Sequence, residues 1–380
     1  MRLLFVTQDF PPAVGGIQTY SWELVRRWSD VGAVHVIAPS HKDASDVDTS
    51  LSARVTRVPT APETLPLRGI PSIIRVARSF QPDIAFHGQW HTLGASLLAQ
   101  RLTGFPRRIV CAAHGRELLF NPLHSIPLVR STYTLLRRSL LRIPDLFVPV
   151  SRYTADLLHS EGVDPARTHV MPNGVDPTRF QPLTHSNVRA QLDMADRPTL
   201  LTVGRLVPRK GLDTTICALR SVLKSVPDAQ YLIVGSGPDQ ERLQHLVSHH
   251  DLTDSVHFIG RVAWDSLPQY YNAADVFVMP SREDPPDVEG FGLVFLEANA
   301  CGTPVVGAAA GGVPDAIIDG VTGYLVPPAD PDALADVLVD LLKHPARARE
   351  IGQVGRLHTE GEASWDHVAN AMLHEIRATL

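Results

Sequence analysis

The sequence predicts an α/β chain built from two doubly wound parallel-sheet domains, on three observations. Its 380 residues exceed what one ordinary hydrophobic core organises and suit two domains of typical size. Short β-branched runs alternate with longer amphipathic stretches along the whole chain, as parallel strands alternate with crossover helices. About five such runs fall on each side of Met171-Pro172-Asn173-Gly174-Val175-Asp176-Pro177, a segment whose Asn, Gly, Asp and Pro favour a junction.

In the first half the strands are expected near Arg2 to Thr7, Val34 to Ala38, Ile84 to His87, Ile109 to His114 and Leu146 to Val150. In the second they are expected near Thr199 to Val203, Gln230 to Val234, Val256 to Ile259, Val276 to Met279 and Val305 to Gly307. Each set with its helices makes a Rossmann-like domain, the first over 1–172 and the second over 173–360. The Ser/Asp-rich stretch from His41 to Ser52 reads as an exposed loop. Helical spacing returns in Pro331 to Leu342 and again in the terminal segment 361–380, where Trp365, Val368, Met372 and Ile376 share a face. That apolar stripe needs a surface, and packing back on the first domain would supply one.

Composition narrows the class. With 44% hydrophobic and 20% charged residues, the chain groups with globular proteins, not with disordered or fibrous ones. No apolar run approaches the roughly 18 uncharged residues that span a bilayer. The run Leu3 to Val6, soon followed by Pro11-Pro12, is too short for a signal-peptide core. Cys111, Cys217 and Cys301 are odd in number and far apart, which points to a reducing compartment with neither a disulfide frame nor a zinc site. A cytoplasmic location is expected.

The net charge of −5 hides an asymmetry. Residues 1–160 carry 18 Lys/Arg against 11 Asp/Glu (+7), and the remainder carries 17 against 29 (−12). Between 101 and 142, eight arginines stand with a single acid, Glu117. Such a block suits an anionic partner, and equally suits a plain solvated helix face. Nucleic acid is disfavoured because aromatics do not interleave with the arginines. At about 100° per residue, Arg130, Arg137, Arg138 and Arg142 share one arc. Leu128, Val129, Tyr133, Leu135, Leu136, Leu140 and Ile143 take the opposite one, with Leu141 the exception. A basic amphipathic helix of this kind would permit peripheral contact with an anionic membrane.

Three segments carry chemistry. The loop Asp9-Phe10-Pro11-Pro12-Ala13-Val14-Gly15-Gly16-Ile17 follows the first strand and opens a helical stretch from Gln18 to Trp28. Gly15 and Gly16 let backbone approach a ligand closely, and a helix N-terminus favours a negative group. The pattern is not G-x-G-x-x-G, so a nicotinamide or flavin reading loses its main support. On its own, a Gly-Gly turn is more often only a turn.

The second domain opens with Val203-Gly204-Arg205-Leu206-Val207-Pro208-Arg209-Lys210-Gly211. Cations at the C-terminal end of a strand sit where ligands bind in open α/β sheets. An Arg fork and a compact Lys charge together suit a diphosphate, whereas the bland alternative is a solvated basic loop. Further on comes Glu289-Gly290-Phe291-Gly292-Leu293-Val294-Phe295-Leu296-Glu297. A helix starting near Leu293 would leave Glu289 in the loop before it and put Glu297 just inside. The amides of Phe291, Gly292 and Leu293 would then point at an anion, although two glutamates at this spacing are commonly just solvated acids.

In combination and in this order, these segments resemble the large retaining GT-B family of bacterial glycosyltransferases, glycosyltransferase family 4. The resemblance covers nearly the whole second domain, the first loop and Pro172 to Phe180, and is weaker over about 40–110 and 117–145. It implies the GT-B architecture, two Rossmann-like domains facing each other across a cleft, with a nucleotide-sugar donor on the second. It implies that Arg205 and Lys210 hold the donor diphosphate, that Glu289 lies near the transferred sugar, and that Glu297 binds the ribose. It further implies that Gly16, beside Gly15, faces the diphosphate from the first domain. His114 in Ala113-His114-Gly115-Arg116-Glu117 matches the active-site histidine.

The reaction so implied moves a hexose to an acceptor hydroxyl with retention and without a cofactor or metal. Asp46-Val47-Asp48 spells the D-x-D of metal-dependent transferases but lies outside these segments. Val6 to Tyr20, Gly204 to Gly211, Pro227 to Pro238 and Asp287 to Val306 are similar to the phosphatidylinositol mannoside mannosyltransferase branch. Arg116 stands where that branch tends to have a histidine. The branch implies GDP-mannose as donor and a glycolipid or glycan as acceptor. A UDP-sugar-dependent transferase and a nucleotide-sugar epimerase of the same fold are the rivals.

Overall fold

Two six-stranded, all-parallel sheets dominate the computed structural model, which describes residues 1–121, 127–184, 186–194 and 197–378. In the first sheet the strands are β1 (Arg2–Val6), β2 (Ala33–Pro39), β3 (Arg54–Val58), β4 (Ile84–His87), β5 (Arg108–Ala113) and β6 (Leu146–Pro149). In the second they are β7 (Thr199–Val203), β8 (Gln230–Val234), β9 (Val256–Gly260), β10 (Val276–Met279), β11 (Val305–Ala308) and β12 (Gly323–Val326). Their spatial orders are β3-β2-β1-β4-β5-β6 and β12-β11-β10-β7-β8-β9. Counted from the first strand of each sheet, both follow the doubly wound order 3-2-1-4-5-6. The order reverses beside β1 and β4 in one sheet and beside β7 and β10 in the other. The carboxyl ends of these strand pairs are the places where such sheets bind ligands.

The central strands form because they can be covered on both faces. Every residue of β4, β6, β7, β8, β10 and β11 is buried, the pattern of parallel strands flanked by helices. Each sheet has six strands where five were expected, and the two outermost additions explain the difference. In β3, Arg-Val-Thr-Arg-Val, only Val58 is buried. β12 is four residues entered from Gly323, with two of them half-buried. Neither has the apolar run that marks a covered strand.

The chain divides into two compact units, Met1–Pro172 with Trp365–Leu380, and Asn173–Ser364. In the first, the helix Trp365–Ala378 lies along the helix Gly16–Val31 and buries Trp365, Val368, Met372 and Ile376. Trp28 Nε1 donates to the Ala369 carbonyl at 3.0 Å, and Arg27 joins Glu23 to Asp366. In the second unit, Arg356 Nη1 donates to the carbonyls of Pro177 and Phe180 at 3.1 and 2.8 Å. That contact fixes the segment following the junction to the helix Pro345–Glu360.

Two expectations are corrected in the first unit. The stretch from His41 to Ser52 contains a helix, Ala44–Thr49, and is not wholly loop. Asp48 accepts from Arg57 at 2.7 Å, so the D-x-D pair is partly spent on an ion pair that ties this helix to β3. Arg137 does not lie on a solvated basic face. It is buried, donates to the Leu118 carbonyl at 2.6 Å and pairs with Glu161 at 2.6 Å. Leu141 is buried beside it, while Leu135 and Leu136 are exposed. The helix Pro127–Leu140 is thus turned away from the arrangement its spacing suggested, because Glu161 supplies a partner for Arg137. The side chains of Leu128, Val129 and Arg130 lie outside the described residues. Among the described residues no helix is long and apolar enough to cross a membrane.

Candidate functional site

In the second unit the loops leaving β7 and β10 meet at the switch point. After β7 the chain makes a turn at Pro208–Lys210, with Pro208 setting its start. Gly211 closes the turn at φ 70°, where a Cβ would run into the Pro280 carbonyl after β10. Only glycine satisfies both the left-handed backbone and that close approach. A second tie is Arg282, whose amide donates to the Arg209 carbonyl at 2.8 Å. Its guanidinium grips both oxygens of Asp213, at 2.8 and 3.0 Å, in the first turn of the helix Leu212–Ser225.

This scaffold aims two cations at one carboxylate. Lys210 Nζ lies 2.5 Å and Arg209 Nη1 2.6 Å from the same Glu289 oxygen. Burial alone would raise the Glu289 carboxyl, but Lys210 and then Arg209 outweigh it and hold its pKa down to about 2. Two cations on one acid leave a surplus positive charge. The Lys210 pKa falls accordingly, through burial first and the neighbouring Arg209 as well, against the pull of Glu289. Arg205, on the same loop, is exposed and has no ion-pair partner among the described residues. The loop as a whole is therefore electropositive and has an unspent cation.

Glu289 also receives, at its carbonyl, the amide of Gly312 at 2.8 Å. The helix Leu293–Ala300 begins after Gly292, which sits at φ 99°. Phe291 and Gly292 are buried, Leu293 is half-buried, and the first-turn amides have no partner within the helix. Glu297 is one turn inside this helix and hydrogen-bonds elsewhere than to the cation pair. Its Oε2 accepts from Tyr271 Oη at 2.6 Å. Burial raises the Glu297 pKa to about 7, with Tyr271, Arg179 and Lys210 pulling it back.

The first unit presents its own set at the ends of β1, β4 and β5. His114, immediately after β5, is held at three points. Its amide donates to Glu117 Oε1 at 2.6 Å, its Nε2 meets the Gly88 carbonyl at 3.1 Å, and its ring stands edge-on to Tyr20 at 4.8 Å. A carbonyl only accepts, so Nε2 carries the proton and Nδ1 is left as an acceptor. Burial lowers the His114 pKa to about 4, the Gly88 bond opposing. The ring is neutral near pH 7. Tyr20 is itself wedged between Trp365 and Met372 of the returning helix. Gly15 and Gly16 lie where the loop from β1 enters the helix Gly16–Val31, and Gly16 is exposed.

Of the residues singled out in the sequence, Lys210 and Glu289 are therefore in direct contact, and Gly292 and Leu293 start the helix that follows. Arg205 shares the cationic loop, and Glu297 is tied separately to Tyr271. His114, Gly15 and Gly16 belong to the other unit. Sequence reasoning passed over Arg209, Tyr271 and the Arg282–Asp213 pair. Arg209 could have been found from its place in the cationic run. The others join elements far apart in the chain and leave no local signal.

Comparison with known proteins bears on what this arrangement belongs to. The family model described as Glycosyl transferases group 1 matches residues 186–358, and that of Glycosyltransferase Family 4 matches residues 14–179. Over 99% of this chain and 98% of the relative, the sequence is 37% identical to a GDP-mannose-dependent alpha-(1-6)-phosphatidylinositol monomannoside mannosyltransferase of Mycobacterium tuberculosis. It is 33% identical, over 96% of this chain and 95% of the relative, to the corresponding monoacylated-acceptor enzyme of Corynebacterium glutamicum. Among solved structures, Anabaena Alr3699/HepE in complex with UDP superposes with a TM-score of 0.83 at 22% identity, covering all of both chains. Sucrose-phosphate synthase from Thermosynechococcus elongatus gives 0.80 at 26% identity, over 99% of this chain and 98% of that one. With the paired parallel sheets, these likenesses show that the chain is a GT-B glycosyltransferase and belongs to glycosyltransferase family 4.

Proposed function

We propose that this protein transfers mannose from GDP-mannose, with retention at the anomeric carbon, to a hydroxyl of a phosphatidylinositol mannoside-like glycolipid. The observation that carries the reading is the near-full-length identity to GDP-mannose-dependent mannosyltransferases, which spans both units. The site chemistry is consistent with it. Departure of GDP builds negative charge on the β-phosphate, and Lys210, fixed by Glu289, and the exposed Arg205 on the same loop are cations suited to stabilise it without a metal. The amides of Phe291, Gly292 and Leu293, at and just before the helix start, add donors for the same charge. Glu289, held ionised and oriented by two cations, is suited to accept hydrogen bonds from the mannose hydroxyls, and Glu297 from the ribose.

No side chain is assigned as a covalent nucleophile, and the reaction follows a front-face route in which the leaving phosphate helps remove the acceptor proton. His114 takes the sugar-side role that the family implies: neutral, it offers Nδ1 as an acceptor. Gly15 and Gly16 contribute backbone amides toward the diphosphate. Access to a lipid acceptor fits the exposed Leu135 and Leu136, followed on the same helix and just beyond it by exposed Arg138 and Arg142. An apolar pair among cations suits an anionic bilayer surface.

The test is to incubate the protein with GDP-mannose and phosphatidylinositol monomannoside and to determine the anomeric configuration of the product by NMR. An α-mannosyl lipid is expected. A β-linked product would overturn retention, and free altered sugar formed without acceptor would replace transfer by epimerisation.

A further inference from the structure

Glu297 and Tyr271 share a buried hydrogen bond, and we infer that Tyr271 is a positioning residue for donor binding: its phenol fixes one carboxylate oxygen so that the other is presented to the nucleoside ribose. The inference rests on the assignment of Glu297 to the ribose. Tyr271 Oη donates to Glu297 Oε2 at 2.6 Å, and the tyrosine is fully buried. It lies on the helix Leu267–Ala273. Its ring stands edge-on to Phe180 at 5.9 Å and tilts against Phe277 at 5.7 Å. Its carbonyl accepts from Thr303 Oγ1 at 2.8 Å. Walled in by two aromatic rings and tethered through its main chain, the phenol has no other place to go.

The carboxylate is consequently fixed in rotation. Oε2 is occupied, whereas Oε1 has no hydrogen-bond partner among the described residues. Oε1 is not one of the sealed, partnerless polar atoms of the interior, so it stays reachable by the donors of a ligand. The vicinal hydroxyls of a ribose supply two donors, and one carboxylate oxygen has two lone pairs to receive them. The phenol keeps its proton and donates it to Glu297, because burial and then the nearby Glu297 push its own pKa far upward. Its hydrogen bond also favours the ionised form of Glu297, against the burial that raises the carboxyl pKa to about 7.

The experiment compares Tyr271→Phe, Glu297→Gln and the unaltered full-length protein with GDP-mannose as the variable donor across pH 5.5–9, a span of about 1.5–2 units either side of the Glu297 pKa. Tyr271→Phe keeps the ring and is expected to raise the donor KM roughly tenfold, with kcat within about twofold. It should also move the acidic limb of kcat/KM to higher pH, a change that loss of packing alone would not produce. Glu297→Gln should raise KM and abolish the limb. Binding of GDP and 2′-deoxy-GDP, followed calorimetrically, gives a readout independent of turnover: the unaltered protein prefers GDP, and Tyr271→Phe loses most of that preference. A Glu297→Gln protein with unchanged KM would remove the ribose assignment itself. If Glu297→Gln weakens the donor but Tyr271→Phe shifts neither the limb nor the GDP preference, the role of Tyr271 is overturned.

Discussion

Lys210 and Glu289, separated by 79 positions in the sequence, meet at 2.5 Å, and Arg209 approaches the same carboxylate oxygen from the adjacent residue. One acid thereby orients two cations without cancelling both. Charge stabilisation that matters most as the nucleotide departs should appear in turnover more than in binding. Lys210→Ala is expected to lower kcat by roughly 10²–10³-fold, the loss typical of a fixed group that stabilises developing charge. The Kd for GDP, measured by calorimetry, should change far less. Unchanged kcat with a weakened donor affinity would mean that the lysine contributes uniform binding only.

Glu297 gives a stability prediction with a defined sign. Its folded pKa, raised to about 7 by burial, lies above the value the carboxyl has when unfolded. Its contribution is thus fully present below pH ~4.5 and is lost as pH rises through about 7, by up to ~3 kcal/mol. Glu297→Gln removes that loss. The variant should unfold at higher denaturant concentration than the parent at pH 8, with the gap closing toward pH 4.5. A constant gap across this range would show that Glu297 is not buried as an acid.

The Arg282–Asp213 pair supports the cationic turn from behind, since Arg282 also donates its amide to the Arg209 carbonyl. Arg282→Ala leaves Asp213 with Arg242 as a remaining partner and frees the turn to shift. A rise of roughly fivefold in donor KM and a stability loss of about 1–2 kcal/mol are expected, in line with removing a charged hydrogen-bonding partner at a half-buried site. Steady-state kinetics and urea unfolding read the two effects separately. Loss of stability with donor KM unmoved would confine the pair to a structural role.

How much of this was legible in the sequence depends on where each signal lives. β1, β8 and β10 were readable because strands covered on both faces need unbroken apolar runs. β3 was not, because its Arg54, Thr56 and Arg57 belong to an edge that needs no such run. The helix start at Leu293 was visible in Gly290-Phe291-Gly292, whose glycines break the chain before an apolar stretch. The burial of Arg137 was invisible, since its partner Glu161 is 24 residues away and helical spacing carries no information about partners. The same limit hid Tyr271 beside Glu297. Periodicity reports faces, whereas long-range pairs require the fold.

The exposed surface near Leu135 and Leu136 leads to a further expectation. Cosedimentation at low salt should be greater with vesicles rich in anionic phospholipid than with neutral ones, and should fall when Leu135 and Leu136 are both replaced by Asp. Equal recovery with neutral and anionic vesicles would exclude electrostatic membrane contact.

The central claim is that the donor is GDP-mannose and the acceptor a lipid-linked hydroxyl. The most direct measurement offers the protein equimolar GDP-mannose and UDP-glucose, each labelled differently, together with phosphatidylinositol monomannoside, and reads which label enters the lipid. Mannose in the lipid, with negligible glucose, is predicted. Glucose in the lipid, or donor turnover with no labelled lipid, would contradict it.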